Sequence, residues 1–352
     1  MGAGRRGEDA GRATSADPDG ARREPRPGVG DFDDLVRRYR RELHVYCYRI
    51  PGSFDEAEDH VQEVLLRAWR SREGFQGQSS PRTWLHRVAT NACLDTLRRD
   101  ARRAGLARSG AASSAAGGPR PSVAAMPWLQ PYPDSLLDDI AADQPGPEAA
   151  AVSRETISLA FLAAIQLLPP RQRAVLILRD VVSWPAAEVA ELLDTSVPAV
   201  NSALQRARAT LRDQWPHGRL DWAPAAEPDP GQRRLLQRYI AAHEQADPEA
   251  LVALLRQDIR LAISPQVGEW NGRREVGDAL RDGMTSLGQW RILPIMANRQ
   301  PGAAGYLRRP GEAAFSPFVL AVLGSEGGQL TDIAAFEQPS MFAAFGLPAR
   351  LG

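Results

Sequence analysis

Leu168-Pro169-Pro170-Arg171-Gln172-Arg173 and the run on to Arg212 decide how this chain is read. Val175, Leu176 and Leu178 give the apolar face of one helix, and Ala186, Val189, Ala190 and Leu193 that of a second. Asp194-Thr195-Ser196 interrupts the pattern with turn and N-cap chemistry, because a Ser or Thr oxygen accepts a bond from an orphan N–H. Val197, Val200 and Leu204 are then the expected buried stripe of a third helix, with Ala199, Asn201, Ser202, Gln205, Arg206 and Arg208 mostly off it. Two helices joined by a tight turn, the second bearing Asn, Gln and Arg, form a helix-turn-helix. Its second helix lies in the DNA major groove, where those side chains make bidentate contacts to base edges. The plainer alternative is a two-helix unit whose basic face is merely solvated.

The N-terminal third argues against the plainer alternative. In Ser53-Phe54-Asp55-Glu56-Ala57-Glu58-Asp59-His60-Val61-Gln62-Glu63-Val64-Leu65-Leu66-Arg67-Ala68-Trp69-Arg70, Val61, Val64, Leu65, Ala68 and Trp69 share one helical face. Glu58, Asp59, Gln62 and Glu63 point elsewhere, and residues 55–63 carry five acids and no Arg. A second helix follows Phe75 and Ser80. Trp84, Leu85, Val88, Ala89 and Ala92 make its buried side, with Arg87, Asn91, Asp95 and Arg98 about a turn apart outside. Residues 82–108 hold seven Arg against two Asp. One small helical domain with an acidic face and a basic face suits a bridge between a basic partner and nucleic acid.

These runs resemble a known family. Asp55-Glu56-Ala57-Glu58-Asp59 with Val61-Gln62-Glu63 and Arg67-Ala68-Trp69, and then Trp84-Leu85-His86-Arg87-Val88-Ala89-Thr90-Asn91-Ala92-Cys93-Leu94-Asp95, look like region 2 of the extracytoplasmic-function (ECF) sigma factors of bacterial RNA polymerase. The residue 168–173 run and the residue 197–208 helix look like their region 4. Trp128-Leu129-Gln130-Pro131-Tyr132-Pro133-Asp134 and a long C-terminal tail resemble the subgroup with a SnoaL-like domain. His60, where an aliphatic residue is usual, and Ile50-Pro51 depart from the family pattern. The resemblance implies partners: core RNA polymerase through its β′ clamp helices and β flap, and promoter DNA. It implies polymerase contacts at Glu58, Asp59, Gln62 and Glu63. Minus-ten contacts would come from Phe75, Ser80, Arg87, Asn91, Asp95, Arg98 and Arg99. Minus-thirty-five contacts would come from Ala199, Asn201, Ser202, Gln205, Arg206 and Arg208.

Composition shifts divide the 352 residues. A disordered tail is expected over 1–30 and a helical domain over 31–104. A linker over 105–152, a helix-turn-helix domain over 153–215 and a Pro- and acid-rich hinge over 216–230 follow, with a separate domain over 231–352. The linker opens Ala/Ser/Gly-rich and then turns aromatic and acidic, with Asp134, Asp138, Asp139, Asp143 and Glu148. The resemblance implies that it threads the polymerase cleft, its acids mimicking RNA phosphates; a solvated tether is the alternative. The last domain begins with two helices marked by Leu235, Leu236, Tyr239, Ile240 and by Leu251, Leu254, Leu255. Strand-like runs follow at 259–263, 290–296, 304–307, 317–323 and 330–336, so an α+β fold with an antiparallel sheet is expected. It resembles the SnoaL-like, NTF2-like cone, which encloses an apolar pocket and can hold a small-molecule ligand. The fold class is multidomain: two all-α domains, then the cone.

Catalysis is not expected. His243 is the one His beyond His217, and fold analogy alone establishes no activity. Regulation of the helical domains in cis is the expected role of the last domain. Two cysteines, Cys47 and Cys93, in helical patterns read as buried small hydrophobes, so neither a disulfide framework nor a metal site is expected. No cofactor, membrane span or signal core is expected, which implies the cytoplasm. The rival readings are a helix-turn-helix regulator that ignores polymerase and a ligand-binding or catalytic protein with a helical tether. Neither gives both helical modules a role.

Overall fold

The computed structural model describes residues 29–72, 75, 80–107, 126–142, 157–214, 229–265 and 268–352. The expected N-terminal tail, the Ala/Ser/Gly-rich part of the linker and the Pro-rich hinge lie outside these residues, apart from the last positions at their edges.

Three helices build the first unit: α1 (Val29–Arg49), α2 (Phe54–Ser71) and α3 (Pro81–Ala107). Ser53 caps α2 by accepting from the Glu56 N–H, and Ser80 caps α3 by accepting from the Thr83 N–H. Val61, Val64 and Ala68 are buried, as their spacing requires, and so is His60. Cys47 and Cys93 are buried free thiols. After α4 (Ser135–Ala142) come α5 (Leu159–Gln166), α6 (Pro170–Leu176) with a π-turn over Ile177–Val181, α7 (Ala186–Leu192) and α8 (Val197–Gln214). The α7–α8 turn uses Asp194 in the left-handed region (φ 48°), a conformation that Asp tolerates. Val197 departs from the expected buried stripe: it sits in the first turn of α8 and is 39% exposed, while Val200, Leu204, Ala207 and Leu211 carry the packing.

The last unit holds α9 (Pro230–Glu244), α10 (Pro248–Ala253), β1 (Leu255–Ser264), β2 (Gly268–Asn271), α11 (Arg273–Ser286), β3 (Gln289–Ala297), β4 (Gln300–Arg308), β5 (Ser316–Glu326) and β6 (Gln329–Phe336). One sheet runs β2-β1-β6-β5-β4-β3. The expected all-antiparallel sheet needs correction, since β1 and β6 pair in parallel. The chain leaves β1, makes β2, α11 and three strands, and returns beside it. Sequence patterning passed over β2, too short to alternate, and α11. It also counted Leu254 and Leu255 with a helix, whereas α10 ends at Ala253 and Leu255 starts β1. Together these elements form the expected α+β cone.

The two faces of the sheet bury different things. Leu261, Ile292, Ala303, Ala321 and Ile333 face α9 and α11 in one apolar cluster. Ile295, Ala304, Tyr306, Leu320, Val322 and Phe336 belong to a second cluster that also takes in Met341 and Phe342 and the cores of both helical units. This second cluster thus runs continuously from α1 through the linker into the back of the sheet.

The linker is the largest correction. Residues 126–134 are neither a solvated tether nor free to thread a cleft here. Met126, Leu129, Gln130, Tyr132 and Asp134 are all buried. Gln130 receives the Ser53 hydroxyl (3.0 Å) and the Asp55 N–H (2.9 Å) on its Oε1, and its Nε2 donates to Asp55 and to Gln338 of the cone. Tyr132 packs against Tyr48 at 4.7 Å and Phe54 at 5.3 Å, with its hydroxyl 2.9 Å from His44 Nδ1.

The tip of the β3–β4 hairpin closes on the same segment. Asn298 and Arg299 both adopt left-handed backbone (φ 55° and 60°), as a two-residue type I′ turn requires. Asn298 is fully buried. Its Oδ1 accepts from the Tyr132 N–H (2.8 Å) and its Nδ2 donates to the Tyr48 hydroxyl (3.0 Å) and the Ile157 carbonyl (2.6 Å). Its backbone N–H donates to the Tyr132 carbonyl (2.9 Å). One amide thereby joins α1, the linker, the approach to α5 and the cone. Next to it, the Arg299 N–H donates to Asp134 at 2.8 Å. Burial pushes the Asp134 carboxyl up to about 6, against the pull of that bond and of the Arg299 charge.

Asn298→Ala leaves the Tyr132 N–H and the Ile157 carbonyl without that partner, at about 1–3 kcal/mol for each group that water does not reach, while the Tyr48 hydroxyl keeps its bond to the Gln130 carbonyl. The expected outcome is faster hydrogen exchange at the Tyr132 and Asn298 amides, with protection of the central strands unchanged. Unaltered exchange at those two amides would show that the hairpin tip carries little of the docking.

Candidate nucleic-acid interface

The exposed face of α8 is the clearest candidate. Ala199, Asn201, Ser202, Gln205, Arg206 and Arg208 are all exposed, as their spacing predicts. Ser196 accepts from the Ala199 N–H and starts the helix. Arg208 is not idle: it grips Asp180 through two bonds (2.9 and 2.7 Å), which binds α8 to the π-turn. Asn201, Ser202, Gln205 and Arg206 form the polar patch in the position of a recognition helix.

On α3 the structure sorts the expected residues. Asn91 is exposed. Arg87, half-buried, pairs with Glu191 of α7 at 3.0 Å, and Asp95 accepts from Arg67 at 3.2 Å. Ser80 is spent on the helix cap. Phe75 is 6% exposed and packs on Trp84 at 5.1 Å, so it presents no free ring. Arg98 and Arg99 lie within α3, but their side chains, like loop residues 76–79, fall outside the described set.

On α2, Asp59 and Gln62 are exposed, whereas Glu58 and Glu63 have partners within the chain. Glu58 binds Arg40 and lies 3.5 Å from His44, and Glu63 accepts from Arg67 at 2.6 Å. Leu66, on the same stripe as Asp59 and Gln62, is 53% exposed. Charge counting missed it; an apolar residue outside the helix's buried face was the available signal. His60 points into the core, so its departure from the family pattern does not touch this surface.

The Leu168–Arg173 run has a structural explanation. Arg173 is buried and donates to the Ile50 carbonyl (2.7 Å), to the Gln166 side chain (2.6 Å) and to the Gln166 and Leu168 carbonyls (2.9 and 3.2 Å). Burial lowers its guanidinium to about 10, still charged at neutral pH. Ile50 directly follows α1, so this cation fixes the α1–α2 turn of the first helical unit to the start of the second. Trp184 and His86, 6.2 Å apart, extend that contact.

The comparisons with known proteins fit this geometry. The family model of Sigma-70 region 2 matches residues 35–103 and that of Sigma-70, region 4 matches residues 158–211. The ECF RNA polymerase sigma factor SigG of Mycobacterium tuberculosis is 43% identical over 329 residues, covering 92% of this chain and 85% of that protein. This chain belongs to the ECF RNA polymerase sigma factors. SigJ of the same organism is 31% identical over 248 residues, covering 70% of this sigma factor and 66% of SigJ. The crystal structure of Mycobacterium tuberculosis SigJ shares the fold, with a TM-score of 0.55 at 21% identity over 92% of this chain and 100% of that one. As a sigma factor the protein is a transcription initiation factor and not an enzyme, and its partners are core RNA polymerase and promoter DNA. Among the described residues no helix is long and apolar enough to cross a membrane.

Arg173→Ala removes a buried cation from three carbonyls and is expected to cost about 2–4 kcal/mol of stability. Arg173→Lys, which keeps the charge but not the fork, is expected to recover less than half of that. Urea unfolding of the two variants measures both. A loss near zero for Arg173→Ala would mean water satisfies those carbonyls.

Proposed function

We propose that the exposed Asp59, Gln62 and Leu66 stripe of α2 docks on the β′ clamp helices of core polymerase, flanked by Glu58 and Glu63. In this reading the helix-turn-helix lies against the β flap with α8 in the major groove of the minus-thirty-five element. Asn201, Ser202, Gln205 and Arg206 face base edges there, with Ala199 and Arg208 at the margins. Asn91 reads the minus-ten element, and Arg87, Arg98 and Arg99 hold phosphates, which position without specifying. Ser80 and Asp95 flank that surface, and Phe75 supports the loop beside the base that leaves the stack. The work is done in the cytoplasm.

The observation that carries the regulatory part is the clasp between the two DNA-binding units. Minus-ten and minus-thirty-five elements are about 25 base pairs apart, roughly 85 Å at ~3.4 Å per pair. Here Arg87, beside the minus-ten surface, pairs with Glu191 of the helix-turn-helix. Both elements cannot be engaged while that pair and the Arg173–Ile50 contact hold. The conformation is a closed one, and the cone's hairpin, through Asn298, holds α1, the linker and the approach to α5 together. The cone thus acts on the sigma units in cis by favouring the closed state, and polymerase binding must release it.

Run-off transcription with core polymerase on genomic fragments tests this reading. Asn91→Ala is expected to change minus-ten selectivity. Arg206→Ala or Gln205→Ala should cost about 1–3 kcal/mol at one or two minus-thirty-five positions. Asn298→Ala should raise initiation severalfold at limiting sigma concentration. Unchanged promoter preferences would remove the DNA assignments, and lower initiation by a folded Asn298→Ala protein would reverse the sign given to the cone.

A further inference from the structure

The carboxylate of Asp180 holds one residue of α8 in a fixed pose. Asp180 lies in the π-turn that follows α6, and its side chain is only 9% exposed. Its Oδ2 accepts from Arg208 Nε at 2.9 Å and its Oδ1 from Arg208 Nη2 at 2.7 Å. This is a side-on fork, among the strongest pairings of a guanidinium and a carboxylate. It uses two of the five guanidinium donors. The other edge, Nη1 with the second hydrogen of Nη2, has no acceptor among the described residues, and the Arg208 side chain is half-exposed. The π-turn is itself tied down. The Arg179 guanidinium donates to the Trp184 carbonyl, and the Trp184 N–H donates to the Leu178 carbonyl at 2.8 Å. Asp180 is therefore fixed from the side of α6, and it fixes Arg208 in turn.

The place of Arg208 on the helix says what its free edge meets. It follows Asn201 on the same stripe of α8, about 10 Å further along the axis. The first turns of a recognition helix meet base edges, so a residue that far along reaches the flanking strand of the duplex. The group there is a phosphate, which accepts two bonds from one guanidinium edge. A phosphate that drew Arg208 away from Asp180 would leave a nearly buried carboxylate unpaired, and that costs more than the pair returns. The pair therefore persists and the phosphate takes the free edge. A long Arg side chain ordinarily gives up rotamer freedom on binding, and here Asp180 has already removed it.

We infer that Asp180 is a positioning residue for promoter binding, presenting the free edge of Arg208 to a backbone phosphate beside the minus-thirty-five element. The inference rests on the DNA reading of α8 and adds to it a residue that does not itself touch DNA. Holoenzyme made with core polymerase is titrated, over a series of salt concentrations, with the promoter fragment that run-off transcription selects. Thermal melting checks each variant. Arg208→Ala is expected to weaken binding about tenfold and to lower the slope of log affinity against log salt by about 0.9. Asp180→Asn keeps the cation and loses the fork. It is expected to weaken binding about fivefold with the slope kept, and to cost nothing further in an Arg208→Ala protein. Charge counting alone gives the opposite sign, because the change removes an acid near DNA. Arg208→Lys, a change on the exposed face of α8, keeps the charge without the fork and should bind like Asp180→Asn. If Asp180→Asn does not fold, Arg208→Lys decides, and wild-type affinity in it overturns the inference. Equal or tighter binding by a folded Asp180→Asn protein also overturns it. So does an Arg208→Ala protein with unchanged affinity while Gln205→Ala and Arg206→Ala weaken binding, and the DNA reading then stands. If all three leave binding unchanged, that reading falls and the inference with it.

Discussion

The Asn298 side chain is the point on which the arrangement of this protein depends. A buried primary amide has one acceptor and two donor positions, and here three parts of the chain supply the partners: Tyr132 of the linker, Tyr48 of α1 and Ile157 before α5. Leaving any of them unpaired out of reach of water costs more than the bond itself contributes, so the group acts as a specificity device more than as glue. Hydrophobic contact between the cone and the helical units could be satisfied in several registers. The amide is satisfied in one.

Arg173 applies the same logic one layer away. A guanidinium brought out of water is tolerated because its donors find fixed carbonyls, and one of those, from Ile50, belongs to the other sigma unit. Together with the Arg87–Glu191 pair this holds the first helical unit against the helix-turn-helix. The two contacts differ in strength for a physical reason. Glu191 is 68% exposed, so its pair is screened by solvent, whereas Arg173 must be rehydrated before it lets go. The contact between the two units therefore rests on the buried interactions, and those continue through Tyr48 and Tyr132 into the hairpin of the cone.

The candidate site residues divided along the same line. Asn91, Asn201, Ser202, Gln205 and Arg206 were legible because helical spacing alone says which positions leave the core face, and they are exposed. Glu58, Glu63, Asp95 and Arg208 were legible as charged but not as engaged, because their partners Arg40, Arg67 and Asp180 sit on other turns or other helices. Phe75 looked like a loop aromatic free to meet a base; Trp84, one turn into the next helix, covers it.

By itself the sequence determined the helices, their apolar faces, the turn and caps of the helix-turn-helix and most of the strands, since each rests on periodicity or on bonds to residues three or four positions away. Motif order along the chain also carried the family. Only the tertiary structure decided that residues 129–134 are buried, that β6 returns parallel to β1, and that Asn298-Arg299, locally an ordinary two-residue hairpin turn, locks three units together. Those outcomes depend on partners between 70 and 250 positions away, as in Asn298 with Tyr48 and Gln130 with Ser53. Local patterning specifies what a segment can bury, and only the assembled surfaces specify against what.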